Sequence, residues 1–185
     1  AKAMTDTEAA PFLNDAADAF SHVEQLIARE NIDCGWHRAG YFLGAWCKSH
    51  YDGMAHKVEL LNQTARSEAY LVPPERQREE IGSDYYRGGM VVGRAGHLHP
   101  ALFFKGLLTL CQQRNIPIAT KTPATKLTKT GSGWRVDTPR GSIEAGDVII
   151  ATNGYTGDVT PELKRRVVPV GSYIIATEEL PPDLA

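Results

Sequence analysis

The passage Val148-Ile149-Ile150-Ala151-Thr152-Asn153-Gly154-Tyr155 carries the clearest chemistry in this sequence. An apolar run ending in small residues and a glycine lets backbone approach a ligand closely, and Thr152 and Asn153 can hydrogen-bond to it. If the run is a strand of an open α/β sheet, the loop lies where such sheets bind ligands. The same residues also suit an ordinary turn at a strand end, and spacing alone does not separate the two. His97 and His99 could offer two imidazoles to one ion, but no Asp, Glu or Cys cluster stands beside them. A loop or helix-capping role suits them better, so no metal is expected. His22, His37, His50 and His56 are scattered and form no ligand pattern. No stretch forms GxGxxG, GxxxxGK[ST] or GxSxG, so neither a phosphate-cradling turn of those types nor a nucleophile elbow is present. A hydrolase of the Ser-His-acid kind is therefore not supported.

The elements that would position these residues follow from periodicity. Residues 1–13 read as a loose lead-in. Asn14 or Asp15 can cap a helix to Glu30, with Ala16, Phe20, Val23 and Ile27 on one face. Ile32–Trp36 is expected to be extended, Gly40–Trp46 a buried strand, and Ser49–Arg66 a helix through Met54, Val58 and Leu61. Leu71-Val72 is a brief extended piece before Pro73-Pro74, Glu75–Ile81 a short polar helix, and Tyr85–Val92 a strand interrupted at Gly88-Gly89. Pro100–Arg114 is the strongest helix, since proline suits its first turn and Phe103, Leu107 and Leu110 share a face. Ile116–Ala119 follows as a short strand. A meander of Ala124–Lys129, Trp134–Thr138 and Ser142–Ala145 comes next, its turns at Gly131-Ser132-Gly133 and Pro139-Arg140-Gly141. Asp147–Ala151 is apolar enough to be covered on both faces. Pro161–Arg166 is one helical turn or two, and Val170–Thr177 a last strand.

Composition narrows the function classes. The formal net charge of -2 and a pI near 6.3 give no reason to expect nucleic acid, whose phosphates demand clustered cations. The one basic run, Lys164-Arg165-Arg166, suits a solvated helix end. Cys34, Cys47 and Cys111 are widely spaced and odd in number, so a reducing, cytoplasmic compartment fits best. No apolar run is long enough for a membrane span, and Ala1-Lys2-Ala3-Met4 reads poorly as a native start.

The order of segments adds a resemblance. Gly96-His97-Leu98-His99-Pro100, then Ile118–Leu127, then Trp134–Tyr155 ending in Ala151-Thr152-Asn153-Gly154-Tyr155, and finally Val168–Thr177 resemble FAD-dependent oxidoreductases of the D-amino-acid oxidase superfamily. The likeness is to the branch with glycine, sarcosine and γ-glutamylputrescine oxidases. Ile32-Asp33-Cys34 and Ala39-Gly40-Tyr41 resemble the stretch after the first long helix of the putrescine-type enzymes. Each piece is short, but their order and separations together are specific, over roughly residues 14–180.

The resemblance implies an α/β (mixed α+β) fold: a partial FAD-binding domain with a β-meander plus part of a substrate-binding domain. Residues 1–95 would be the substrate-domain portion, 96–166 the FAD-domain portion, and 167–185 the strand returning to the substrate domain. It implies FAD as cofactor and an amine or amino acid as the small-molecule substrate, oxidised at the C–N bond to an imine. Pro123 and Ala124 would face adenosine through their backbone, with Ala124 standing where the family often has valine. Thr152, Asn153, Gly154 and Tyr155 would lie near the ribityl and phosphate region, and Tyr173 would be on the substrate side. The family's opening GxGxxG unit has no counterpart in these residues, so the chain alone is expected to hold FAD weakly and to be inactive. Exposed core surface would then favour self-association. The competing expectation is a non-catalytic binding or assembly module, or one subunit of a split oxidoreductase.

Overall fold

The structure, a computed structural model, describes residues 6–173 together with 175, 178 and 181. The chain forms two compact units, one running to Ile116 and one covering Pro117–Glu179. It is mixed α and β, built on two small antiparallel sheets.

The first unit opens with helix α1 (Asp6–Arg29), so the expected lead-in is helical from Asp6 onward. Asn14 and Asp15 do not cap it; they are exposed positions in its interior. Helical propensity of the alanine-rich run outweighs the local signals of the two capping-type residues. Along α1 the buried positions are Ala17 and Ile27, with Phe20 and Val23 half-buried, while Ala16 faces solvent. Helix α2 (Lys48–Ala65) follows strand β1 (Tyr41–Gly44), and strand β2 (Ala69–Val72) precedes a 3-10 turn over Pro74–Glu79. Strand β3 (Gly89–Val92) lies between β1 and β2, pairing Tyr41 and Ala69 with Val92 from either side.

β1 is shorter than the strand expected over Gly40–Trp46 and lies at the sheet edge, and Tyr41 and Trp46 are exposed while Ala45 is buried. The strand expected from Tyr85 starts only at Gly89, because Gly88 takes φ 78° and breaks the extended run. The Gly88 amide donates to the buried Gln77 Oε1 at 3.1 Å, which satisfies that side chain.

Two apolar clusters hold this unit. In one, Ile27, Ile32 and Cys34 pack with Val23, Leu26 and the Phe103, Leu107 and Leu110 face of helix α3 (Pro100–Gln113). Ile32–Trp36 supplies that packing without becoming a strand. In the other, Ala45, Met54 and Met90 join Leu43, Val58, Leu61 and Leu71, so the expected face of α2 seals the sheet. Arg94 ties the loop after β3 to α1, donating to the Ala17 carbonyl and Ser21 Oγ at 2.7 Å each, its guanidinium 5.3 Å from the Phe20 ring centre.

The second unit is a meander of strands β4 (Lys126–Lys129), β5 (Trp134–Thr138) and β6 (Gly141–Ala145), turning at the two expected glycine-containing corners. Three expected strands form no ladder among the described residues. Ile116–Ala119 is irregular, and Asp147–Ala151 pairs with nothing among the described residues, leaving Ile149 92% exposed. An apolar run becomes a strand only when a neighbour takes its amides and carbonyls, and no described segment does so here. Helix α4 (Pro161–Lys164) is a single turn, with Lys164 bonded to Asp158 at 2.7 Å. The expected strand Val170–Thr177 forms no ladder over 170–173, and Ile174, Ala176 and Thr177 lie outside the described residues.

Candidate functional site

The meander supplies one wall of a cavity of about 490 Å³ within the second unit. Leu127 and Val136 are directly opposed on β4 and β5, so their side chains share a sheet face and both line it. Before β4, the Thr125 amide and hydroxyl both donate to the Asp137 carbonyl, at 2.8 and 3.1 Å. That pair of hydrogen bonds anchors the turn in which Pro123 and Ala124 line the cavity.

The rest of the lining comes largely from the apolar run and its loop. Val148, Ile149 and Ile150 line the cavity, followed by Thr152 and Tyr155. The loop closes as one 3-10 turn over Asn153–Tyr155, with the Tyr155 amide donating to the Thr152 carbonyl at 3.0 Å. Thr152 Oγ1 and Thr156 Oγ1 are 2.8 Å apart, and Thr156 Oγ1 also donates to the Asn153 carbonyl at 2.7 Å. Asn153 sits at φ 48°, a left-handed conformation that asparagine tolerates better than most residues.

Pro123, Ala124, Thr152 and Tyr155, which stand far apart in sequence, thus share one cavity. Asn153 and Gly154 face a second recess with Tyr155 and Val168–Gly171, about 460 Å³ in volume. Tyr173 lines neither, stands 95% exposed and belongs to no strand. Sequence reasoning passed over Leu127, Val136, Val159 and Thr160 as lining residues. The alternation of Leu127 along β4 and Val136 along β5 could have signalled the first two, but Val159 and Thr160 have no such pattern.

The first cavity is mostly apolar, with hydroxyl-bearing Thr152, Tyr155 and Thr160 and no charged side chain among its lining residues. Such walls suit a flat heterocycle held by apolar contact and backbone polar groups. They offer neither the glycine-rich turn nor the cations that a pyrophosphate takes. The residues present therefore fit a flat, largely apolar group better than a bare phosphate.

Known proteins are similar to this chain in sequence and in fold. The Haemophilus influenzae protein named "Probable oxidoreductase OrdL" is 28% identical over 97% of this chain and 42% of its own length. The γ-glutamylputrescine oxidoreductase of Escherichia coli is 29% identical over 88% of this chain and 38% of its own. The chain thus spans about two fifths of the length of these curated relatives. Among solved structures, glycine oxidase from Geobacillus kaustophilus superposes with a TM-score of 0.67 at 16% identity, covering 80% of this chain and 41% of that one, which shows a common fold. The family model described as DAO, FAD dependent oxidoreductase, matches residues 4–185. Nearly the whole chain falls under that single match, and it belongs to the DAO family of FAD dependent oxidoreductases.

Proposed function

We propose that the protein carrying this chain oxidises an amine or amino acid with FAD, and that the chain contributes the adenosine side of the flavin site. The observation that carries the reading is the shared cavity of the Pro123-Ala124 turn and the Thr152–Tyr155 loop in a member of this family. FAD, when bound, would accept a hydride, which carries both electrons, from the carbon beside the substrate nitrogen, while the nitrogen gives up a proton and the resulting imine is hydrolysed by water.

The chain's own residues hold and orient. Pro123 and Ala124 meet the adenosine through backbone, their turn fixed by Thr125, and the small Ala124 side chain leaves room beneath the ring. Thr152, Asn153, Gly154 and Tyr155 stand toward the ribityl and phosphate region, and Tyr173 toward the substrate. Residues 1–95 act as the substrate-domain portion, 96–166 as the FAD-domain portion and 167–185 as the return segment. The relatives' names favour a small amine such as a glutamylated polyamine or an amino acid as substrate. Three free cysteines suit a reducing, cytoplasmic setting. No helix among the described residues is long and apolar enough to cross a membrane.

Two measurements test the reading. The purified chain mixed with FAD and desalted is expected to lose the flavin, because it offers no phosphate-binding turn; stoichiometric, tight retention would overturn that part. The protein encoded by the whole gene, assayed anaerobically against amines and amino acids, should bleach its flavin absorption with at least one of them. A flavin that stays oxidised with every such substrate would overturn the assigned reaction.

A further inference from the structure

His37 and His97 face each other in an isolated antiparallel bridge, each amide donating to the other's carbonyl at 2.9 Å. Directly opposed residues project their side chains to one face, and the two imidazole centres lie 5.3 Å apart. Two imidazoles on one tetrahedral zinc, with Zn–N bonds of about 2.0–2.1 Å, place their ring centres about 5 Å apart. The geometry points to a two-histidine zinc site, and we propose that His37 and His97 bind one Zn²⁺, with solvent completing a tetrahedron.

The backbone preorganises the pair. On one side of the bridge the His99 amide donates to the Cys34 carbonyl at 2.7 Å, and on the other the Gly40 amide donates to the Ala95 carbonyl at 3.0 Å. Register at the bridge is therefore locked from both directions. Gly96 permits the approach, since a Cβ there would stand 2.7 Å from the His37 carbonyl oxygen and 2.8 Å from the Trp36 ring. Among the described residues neither imidazole makes a side-chain hydrogen bond, whereas Trp46 N–H donates to His50 and Leu102 N–H to His99. Both rings are exposed, which gives the ion access. The neighbouring cations are engaged elsewhere: Arg38 reaches Glu68 at 2.6 Å, and Arg94 turns to α1. No group of three or more His, Cys, Asp or Glu converges among the described residues, so solvent fills the remaining positions and the ion is exchangeable.

The test is Zn²⁺ titration of the full 185-residue chain against a chromophoric chelator, with Co²⁺ absorption as a geometric probe. Saturable binding of one ion per chain is expected, with a tetrahedral Co²⁺ spectrum. His37→Ala and His97→Ala should each weaken it at least about tenfold, while His99→Ala leaves it unchanged. Because the bridge is made by backbone, the His37→Ala and His97→Ala variants should keep the metal-free melting temperature, and Zn²⁺ should raise that temperature in the parent and in His99→Ala but not in those two. Absence of saturable binding in the parent, binding that survives both substitutions, or equal loss on His99→Ala would each overturn the proposal.

Discussion

Cys47 differs from the other two cysteines in its surroundings. It is exposed at the N-terminal cap of α2, its Sγ 3.2 Å from Ser49 Oγ. The Ser49 hydroxyl, and after it the His50 backbone amide, hold its thiol below the usual cysteine value. Since the thiolate is the reactive form, Cys47 should react with a disulfide reagent faster than half-buried Cys111 and much faster than Cys34, which is 1% exposed. Ser49→Ala should slow it a few-fold by returning the thiol toward its ordinary value. Peptide-resolved labelling kinetics at neutral pH read both effects, and a rate for Cys47 equal to that of Cys111 would contradict them. None of this was legible in the cysteine spacing, because it depends on where α2 begins.

Helices and the meander were the legible elements. α3 begins at Pro100 and carries its apolar face at helical spacing, so local chemistry and packing agree. β5 matches its expected span from Trp134 to Thr138 because glycine turns bound it on both sides. Asp147–Ala151 was misread, since the partner that would make it a strand is not written in its own residues. The same holds for the site: the apolar run and its loop were visible, while the wall formed by Leu127 and Val136 depends on which way the sheet faces. His37 and His97 became a pair only through the bridge.

Turn chemistry supplies a test at this scale. Gly88 combines φ 78° with close neighbours, and a Cβ there would stand 2.6 Å from the Val72 carbonyl oxygen and 3.0 Å from the Pro74 nitrogen. Gly88→Ala should cost about 2 kcal/mol or more in denaturant unfolding. Gly131, in open space at a meander turn, should tolerate alanine within about 0.5 kcal/mol. Equal effects at the two sites would refute the assignment of strain to Gly88.

At the scale of the whole molecule, apolar surface is unevenly placed. Ile149, Val168 and Val170 in the second unit are 92%, 77% and 84% exposed, and Tyr155 is 96% exposed. Monomers rarely leave so many large apolar groups in water, and fully covering one such side chain contributes roughly 1.5–3 kcal/mol. The isolated chain should therefore self-associate as its concentration rises, which light scattering coupled to size exclusion would detect. Replacing Ile149 and Val170 together by glutamate should shift the population toward monomer. A concentration-independent monomer in the parent would show that this surface is tolerated bare.

The three rungs that flank β1 and β3, Cys34 with His99, His37 with His97 and Gly40 with Ala95, close the base of a long excursion of the chain. Everything between Gly40 and Ala95 leaves and returns through that clasp, much as a purse is gathered at its neck. Connections inside a closed excursion can change length cheaply, since each doubling of a flexible loop adds only about 0.6 kcal/mol. A longer connection between Pro74 and Gly88 would therefore leave the α1 and α3 packing below the clasp as it is.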